Sequence, residues 1–194
     1  MEVQINIDDI VKGVKADLFS SNPWDDVVPV IDTPNELIVY LTGPIGYPAD
    51  YNKACYTIAN STKPVKLVLN TPGGSIHTAT MIIDAMKSCD QPIIGHVVGS
   101  VASAGTAITM HCDDIIIADF AEFMVHNYSH GTSGTGSQVK TYVDFTDREL
   151  RKLTNEVYAG FISDEELNLI CDQDKEIWLN KSEVLERWER KKAA

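Results

Sequence analysis

Three short stretches of this sequence carry groups that could do chemistry together: Asn70-Thr71-Pro72-Gly73-Gly74-Ser75, Val101-Ala102-Ser103-Ala104-Gly105-Thr106 and Met124-Val125-His126. A serine hydroxyl is a poor nucleophile until a neighbouring base takes its proton, and histidine is the usual base. Paired glycines in a turn can aim backbone N–H groups at a ligand, which is how an oxyanion hole is built. A nucleophile, a base and a set of donors together point to acyl transfer.

The elements that must hold these groups follow from the spacing of apolar residues. The run from Val65 to Leu69 reads as a strand ending in the glycine turn, and residues 75–88 as the helix that follows it. Residues 93–98 form a second apolar run. It leads into a corner where Ser103 starts a helix, so that the helix N-terminus faces developing negative charge. Strands over 114–118 and 122–125 follow, the latter ending in His126. Upstream lie a buried-type strand at 37–41 and a helix at 49–59. This alternation predicts an α/β protein with parallel, right-handed βαβ crossovers. The last third is helical, with a long helix over 138–158, a shorter one over 163–171 and a charged one over 182–192. Ile7, Ile10, Val11 and Val14 recur at helical spacing, so residues 1–33 read as an N-terminal helix and linker and 34–194 as the main domain.

Composition bounds the partners. A chain of 194 residues that is 44% hydrophobic buries one sizeable core. A formal net charge of −12 argues against a broad nucleic-acid surface, which needs clustered Lys and Arg. No apolar run approaches the roughly 20 residues that span a bilayer, and the start does not resemble a signal peptide. Cys55, Cys89, Cys112 and Cys171 are far apart in sequence and form no metal-ligand pair, so reduced thiols in a cytoplasmic protein are expected. There is no Gly-x-x-x-x-Gly-Lys-Ser/Thr sequence. No metal or other cofactor is expected, and any ATP dependence belongs to a partner.

In their order, spacing and flanking elements, the three stretches resemble the proteolytic subunit of the Clp protease (ClpP) and its relatives, from about Leu37 to Val184. The resemblance implies a ClpP/crotonase-like spiral of βαβ units with a long C-terminal handle helix, here the one over 138–158. It implies a serine endopeptidase working through an acyl-enzyme on Ser103, with His126 as base and the backbone N–H groups of Gly74 and Ala104 as oxyanion donors. His130 is the rival base. An extended peptide would lie beside Gly73, Ser75 and Ile76 on one side and Asn127 and Tyr128 on the other, as an added strand. The family acid precedes an aromatic residue by two positions; before Trp178 that position holds Glu176 instead of the usual aspartate, with Asp174 and Asp172 as alternatives. Partners implied are peptide or unfolded-protein substrates, further copies of the chain in a self-compartmentalising ring, and an AAA+ unfoldase. The stretches that flank the family domain differ from those of many bacterial members, a form that resembles phage-encoded relatives. Two other functions fit the same residues less well: a catalytically silent ring or scaffold subunit, and an acyl-CoA enzyme of the crotonase-like fold.

Overall fold

Apolar residues at alternate positions build the centre of the molecule, seen here in a computed structural model that describes residues 26–129 and 131–193. The N-terminal helix expected from Ile7, Ile10, Val11 and Val14, most of the 1–33 segment and His130 lie outside the described residues. The strands are β1 (Val30–Asp32), β2 (Leu37–Thr42), β3 (Val65–Thr71), β4 (Ile93–Ala102), β5 (Asp114–Ile117), β6 (Glu122–Val125) and β7 (Ile177–Leu179). Among the described residues they form one seven-stranded sheet in the order β1-β2-β3-β4-β6-β7, with β5 paired to β4 beside that path. Leu37, Val39 and Leu41 of β2 and Val65, Leu67 and Leu69 of β3 are buried and alternate with less covered residues. Each such side chain contributes about 1.5–3 kcal/mol on burial.

The strands from β2 to β6 pair in parallel, while β1 and β7 add antiparallel edges. Parallel neighbours need crossover segments, and those from β2 to β3, from β3 to β4 and from β4 to β5 each carry a helix. Helix α1 (Asn52–Ala59) buries Ala54, Cys55 and Ile58; α2 (Ile76–Lys87) buries Ala79, Ile82, Ile83 and Met86. Ser75 caps α2, its Oγ accepting from the Thr78 N–H at 3.3 Å. This is the α/β arrangement of βαβ units that the sequence predicts.

An irregularity in β4 decides where the strand delivers its end. Leu69 pairs with Val97, but Thr71 pairs with Val101, so β4 carries two extra residues at this point. Asn70 Oδ1 accepts from the Ser100 N–H at 3.1 Å and anchors the bulge. Below it β4 pairs with β5, and above it Ser100 to Ala102 pair with β6. The strand therefore runs on to Ala102, past the 93–98 stretch expected from sequence.

The C-terminal third packs differently. Helix α4 (Gly136–Tyr158) starts where the Thr135 N–H donates to Gln138 Oε1 at 2.9 Å, and only Val157 and Tyr158 of its 23 residues are buried. It projects from the body and returns to it at its C-terminal end. Beyond it, Phe161 is fully buried with its ring centroid 5.7 Å from that of Phe123 in β6. Helix α5 (Asp164–Gln173) and α6 (Lys181–Ala193) flank β7. They are joined by a two-pronged ion pair, Arg187 Nη1 and Nη2 to the Glu166 carboxylate at 2.7 and 2.8 Å.

The Arg187 guanidinium holds the Glu166 carboxyl well below its ordinary 4.5, at about 2, with help from the Ser163 N–H. A depressed carboxyl stabilises the fold fully above the unfolded value and stops doing so as pH falls through the folded one. Thermal melts between pH 5 and pH 2 should therefore show a loss of stability across this window that is smaller in Glu166→Gln. Parallel curves for the two proteins would rule out this pair as a source of acid sensitivity.

Candidate active site

Ser103 stands at the corner between β4 and α3 (Ala104–Thr109). Its backbone is at φ 55° and ψ −124°, a region that costs a side-chain-bearing residue about 1–3 kcal/mol. A serine in this position usually caps its helix, yet the Ser103 hydroxyl makes no cap bond. The strained corner turns it into a cleft instead. Its own backbone is tied down on both sides: the Ser103 N–H donates to Met124 O at 3.0 Å, and its carbonyl accepts from Thr106 Oγ1 at 2.6 Å.

Gly73 and Gly74 press against this corner. Gly73 has φ 87°, and a Cβ there would meet Ala102 O at 2.6 Å and Ser103 Cβ at 2.7 Å, so only glycine permits the approach. Gly74 forms a parallel bridge with Ile45, in which the Ile45 N–H donates to Gly73 O and the Ser75 N–H donates to Ile45 O. In such a bridge the Gly74 N–H points to the opposite side. The Ala104 N–H is the first of α3 and has no partner within the helix. Among the described residues neither N–H donates a hydrogen bond elsewhere, and Gly74 and Ala104 both line the cleft that Ser103 faces. Both are therefore open to a group held in the cleft.

His126 follows β6 immediately and lines the same cleft, half-buried. Among the described residues its ring makes no hydrogen bond with Ser103 or with an acid. The register of β6 on β7 places the acids. Val125 pairs with Ile177, so the next rung sets Glu176 opposite His126, on the face that also carries Met124 and Trp178. The Glu176 carboxylate does not reach across; it accepts from the Trp178 indole N–H at 2.9 Å. Asp174 accepts from the Asn127 side-chain amide at 2.9 Å and sits in a left-handed conformation at φ 51°. Asp172 is engaged by Arg151 at 2.6 Å. Asp174 thus holds the loop after His126 rather than the imidazole itself.

The cleft measures about 610 Å³. One wall is the turn from Pro72 to His77, including the expected Ser75 and Ile76; another is Tyr128 and Ser129. The third wall is a stripe of α4, Tyr142, Phe145, Thr146, Glu149 and Leu150, at the i, i+3, i+4, i+7, i+8 spacing of one helix face. Sequence analysis did not select these residues, although that periodicity carries the signal. Gly73 and Asn127 act from behind, through backbone contact and the Asp174 bond. Helix α4 is anchored to the corner at its far end, where Tyr158 OH and Thr106 Oγ1 share a buried hydrogen bond at 2.5 Å and burial pushes the phenol up to about 12.

The strain at Ser103 has a measurable consequence. Ser103→Gly should melt above Ser103→Ala by about 1 kcal/mol after the backbone-entropy cost of glycine, or roughly 2–4 °C in a chain of this size. Equal melting temperatures would show that the corner stores no strain.

Comparison with known proteins gives the family. The sequence profile of the Clp protease family matches residues 35–187. The chain is 27% identical over 128 residues to the ATP-dependent Clp protease proteolytic subunit 2 of Pseudomonas aeruginosa, covering 65% of this chain and 63% of that subunit. It is 29% identical over 160 residues to the ATP-dependent Clp protease proteolytic subunit of Streptococcus gordonii, covering 76% and 79%. The corresponding subunit of Streptococcus pneumoniae is 28% identical over 160 residues, covering 77% and 80%. With the glycine turn, the serine corner and the histidine all inside the matched span, the chain belongs to the Clp protease family.

Proposed function

We propose that this protein is a serine endopeptidase that hydrolyses peptide bonds through an acyl-enzyme on Ser103. The single observation that carries this reading is the uncapped Ser103 hydroxyl, turned by a strained corner into a cleft it shares with His126 and with the free N–H groups of Gly74 and Ala104. His126 takes the hydroxyl proton as Ser103 Oγ bonds to the scissile carbonyl carbon, and the oxyanion forms between the two N–H groups. The C–N bond then breaks and His126 returns the proton to the leaving amine. Water, deprotonated by His126, adds to the acyl carbonyl carbon, the C–Oγ bond breaks, and His126 returns the proton to Ser103 Oγ. Peptide and water are the only reactants, so the reaction needs no cofactor.

Glu176 is the third member in this reading. The β6–β7 register, carried one step past Val125 and Ile177, would set it opposite His126, and rotation away from Trp178 would free its carboxylate for the imidazole. The substrate lies extended between the turn at Gly73 to Ile76 and the segment Asn127 to Tyr128, adding a strand. Several copies close into a ring. The 23-residue α4, of which only Val157 and Tyr158 are buried, supports this, because a helix so little covered by its own chain offers a face to another copy. An AAA+ unfoldase would feed such a ring, and phage-encoded proteolysis is one setting for it. The free thiols of Cys55, Cys89, Cys112 and Cys171 fit the cytoplasm. Among the described residues no helix is long and apolar enough to cross a membrane.

Hydrolysis of a fluorogenic peptide by the assembled protein tests the reading. Ser103→Ala should lose turnover at least 10³-fold while assembling normally, since one hydroxyl at a corner adds little packing. Turnover that survives Ser103→Ala would refute it. Glu176→Gln should lower kcat by about 10²–10⁴-fold with little change in KM, whereas Asp174→Asn should change kcat far less. The reverse order would move the role to Asp174.

A further inference from the structure

The α4 wall of the cleft is mostly apolar, with Thr146 and Glu149 as its polar points. Tyr142, Phe145 and Leu150 supply an apolar strip, Glu149 adds a carboxylate, and among the described residues no lysine or arginine lines the cleft. A cation of the same helix rests at the edge of this wall. The Arg148 guanidinium lies 5.4 Å from the centroid of the Phe145 ring, and its Nε donates to Glu149 Oε1 at 2.8 Å. Phe145 and Arg148 are three apart on the helix and so are surface neighbours, and the same guanidinium reaches the adjacent Glu149. The aromatic face and the carboxylate together form a seat for a cation. The Arg148–Glu149 pair is exposed, with 68% and 46% of the two side chains open to solvent, and exposed pairs hold weakly. Asp147, one turn from Leu150 and hydrogen-bonded by Tyr128 OH at 3.0 Å, adds a second negative charge at the rim.

We propose that Glu149 determines specificity, selecting peptides with lysine or arginine at the residue that supplies the scissile carbonyl. This rests on the reading of the cleft as a peptidase site. A long cationic side chain leaving the carbonyl at Ser103 lays its methylene stem along Tyr142, Phe145 and Leu150 and places its charged head at Glu149, displacing Arg148. A branched or short apolar chain fills the strip and leaves the carboxylate unused. An acidic one meets repulsion from Glu149, Asp147 and the net charge of −12.

The test separates recognition from chemistry. Labelled peptides differing only in Lys, Met or Glu at that residue are bound to the full chain carrying Ser103→Ala, and affinity is read by fluorescence anisotropy. The Lys peptide should bind about fivefold tighter than the Met peptide at low salt, the size of one charge pair in a wet site. The preference should fall towards unity at about 1 M salt and on adding Glu149→Gln. Adding Glu149→Lys instead should favour the Glu peptide. Equal binding of Lys and Met peptides, or a Lys preference that survives Glu149→Gln, overturns the proposal. Hydrolysis of the same peptides by the unaltered protein runs in parallel. Lys-selective binding without hydrolysis upholds the role of Glu149 and refutes the peptidase reading; hydrolysis without selectivity does the opposite.

Discussion

The close approach of Gly73 to the Ser103 corner is the contact on which the rest of the site depends. Two loops from different crossovers, one after β3 and one after β4, touch through backbone atoms at a distance no side chain would allow. That contact fixes where the Gly74 N–H lies relative to Ser103 and Ala104, and oxyanion geometry tolerates displacements well under 1 Å. The bulge at Asn70 serves the same end from below. By inserting two residues into β4, it shifts that strand from β5 to β6 and brings Ser103 level with the strand that carries His126.

Helix α4 is held in a different way. Only Val157 and Tyr158 of it are buried, and its attachments are the buried Thr106–Tyr158 hydrogen bond at its C-terminal end and, along its length, exposed bonds from Tyr128 to Asp147 and from Arg151 to Asp172. Because Thr106 also donates to the carbonyl of Ser103, one hydroxyl links the helix that walls the cleft to the residue at its floor. Movement of α4 and the geometry of the corner are therefore mechanically connected. In the described state His126 has no acid on its ring, and Glu176 is engaged by Trp178.

Much of this was legible in the sequence, for reasons particular to each element. Strands β2, β3 and β6 and helices α2 and α4 follow from strong periodicity, and Ser103, His126 and the glycine pair from their place at strand ends. Edge strands β1 and β7 escaped notice because three residues carry too little pattern. Missing β7 concealed the register that sets Glu176 opposite His126, which the sequence suggested only through resemblance. The hydrogen bonds from Trp178 to Glu176 and from Asn127 to Asp174 depend on rotamers and on strand pairing, so no spacing rule announces them. Glu149 was hidden for another reason: in a highly charged helix a carboxylate reads as solvated, and only the fold turns it towards a cleft.

The central claim is that Ser103 is an activated nucleophile, and reaction of the assembled protein with a fluorophosphonate, followed by intact-protein mass spectrometry, tests it most directly. The account predicts one phosphonyl adduct per chain, absent in Ser103→Ala. An unlabelled protein, or labelling that persists in Ser103→Ala, would contradict it.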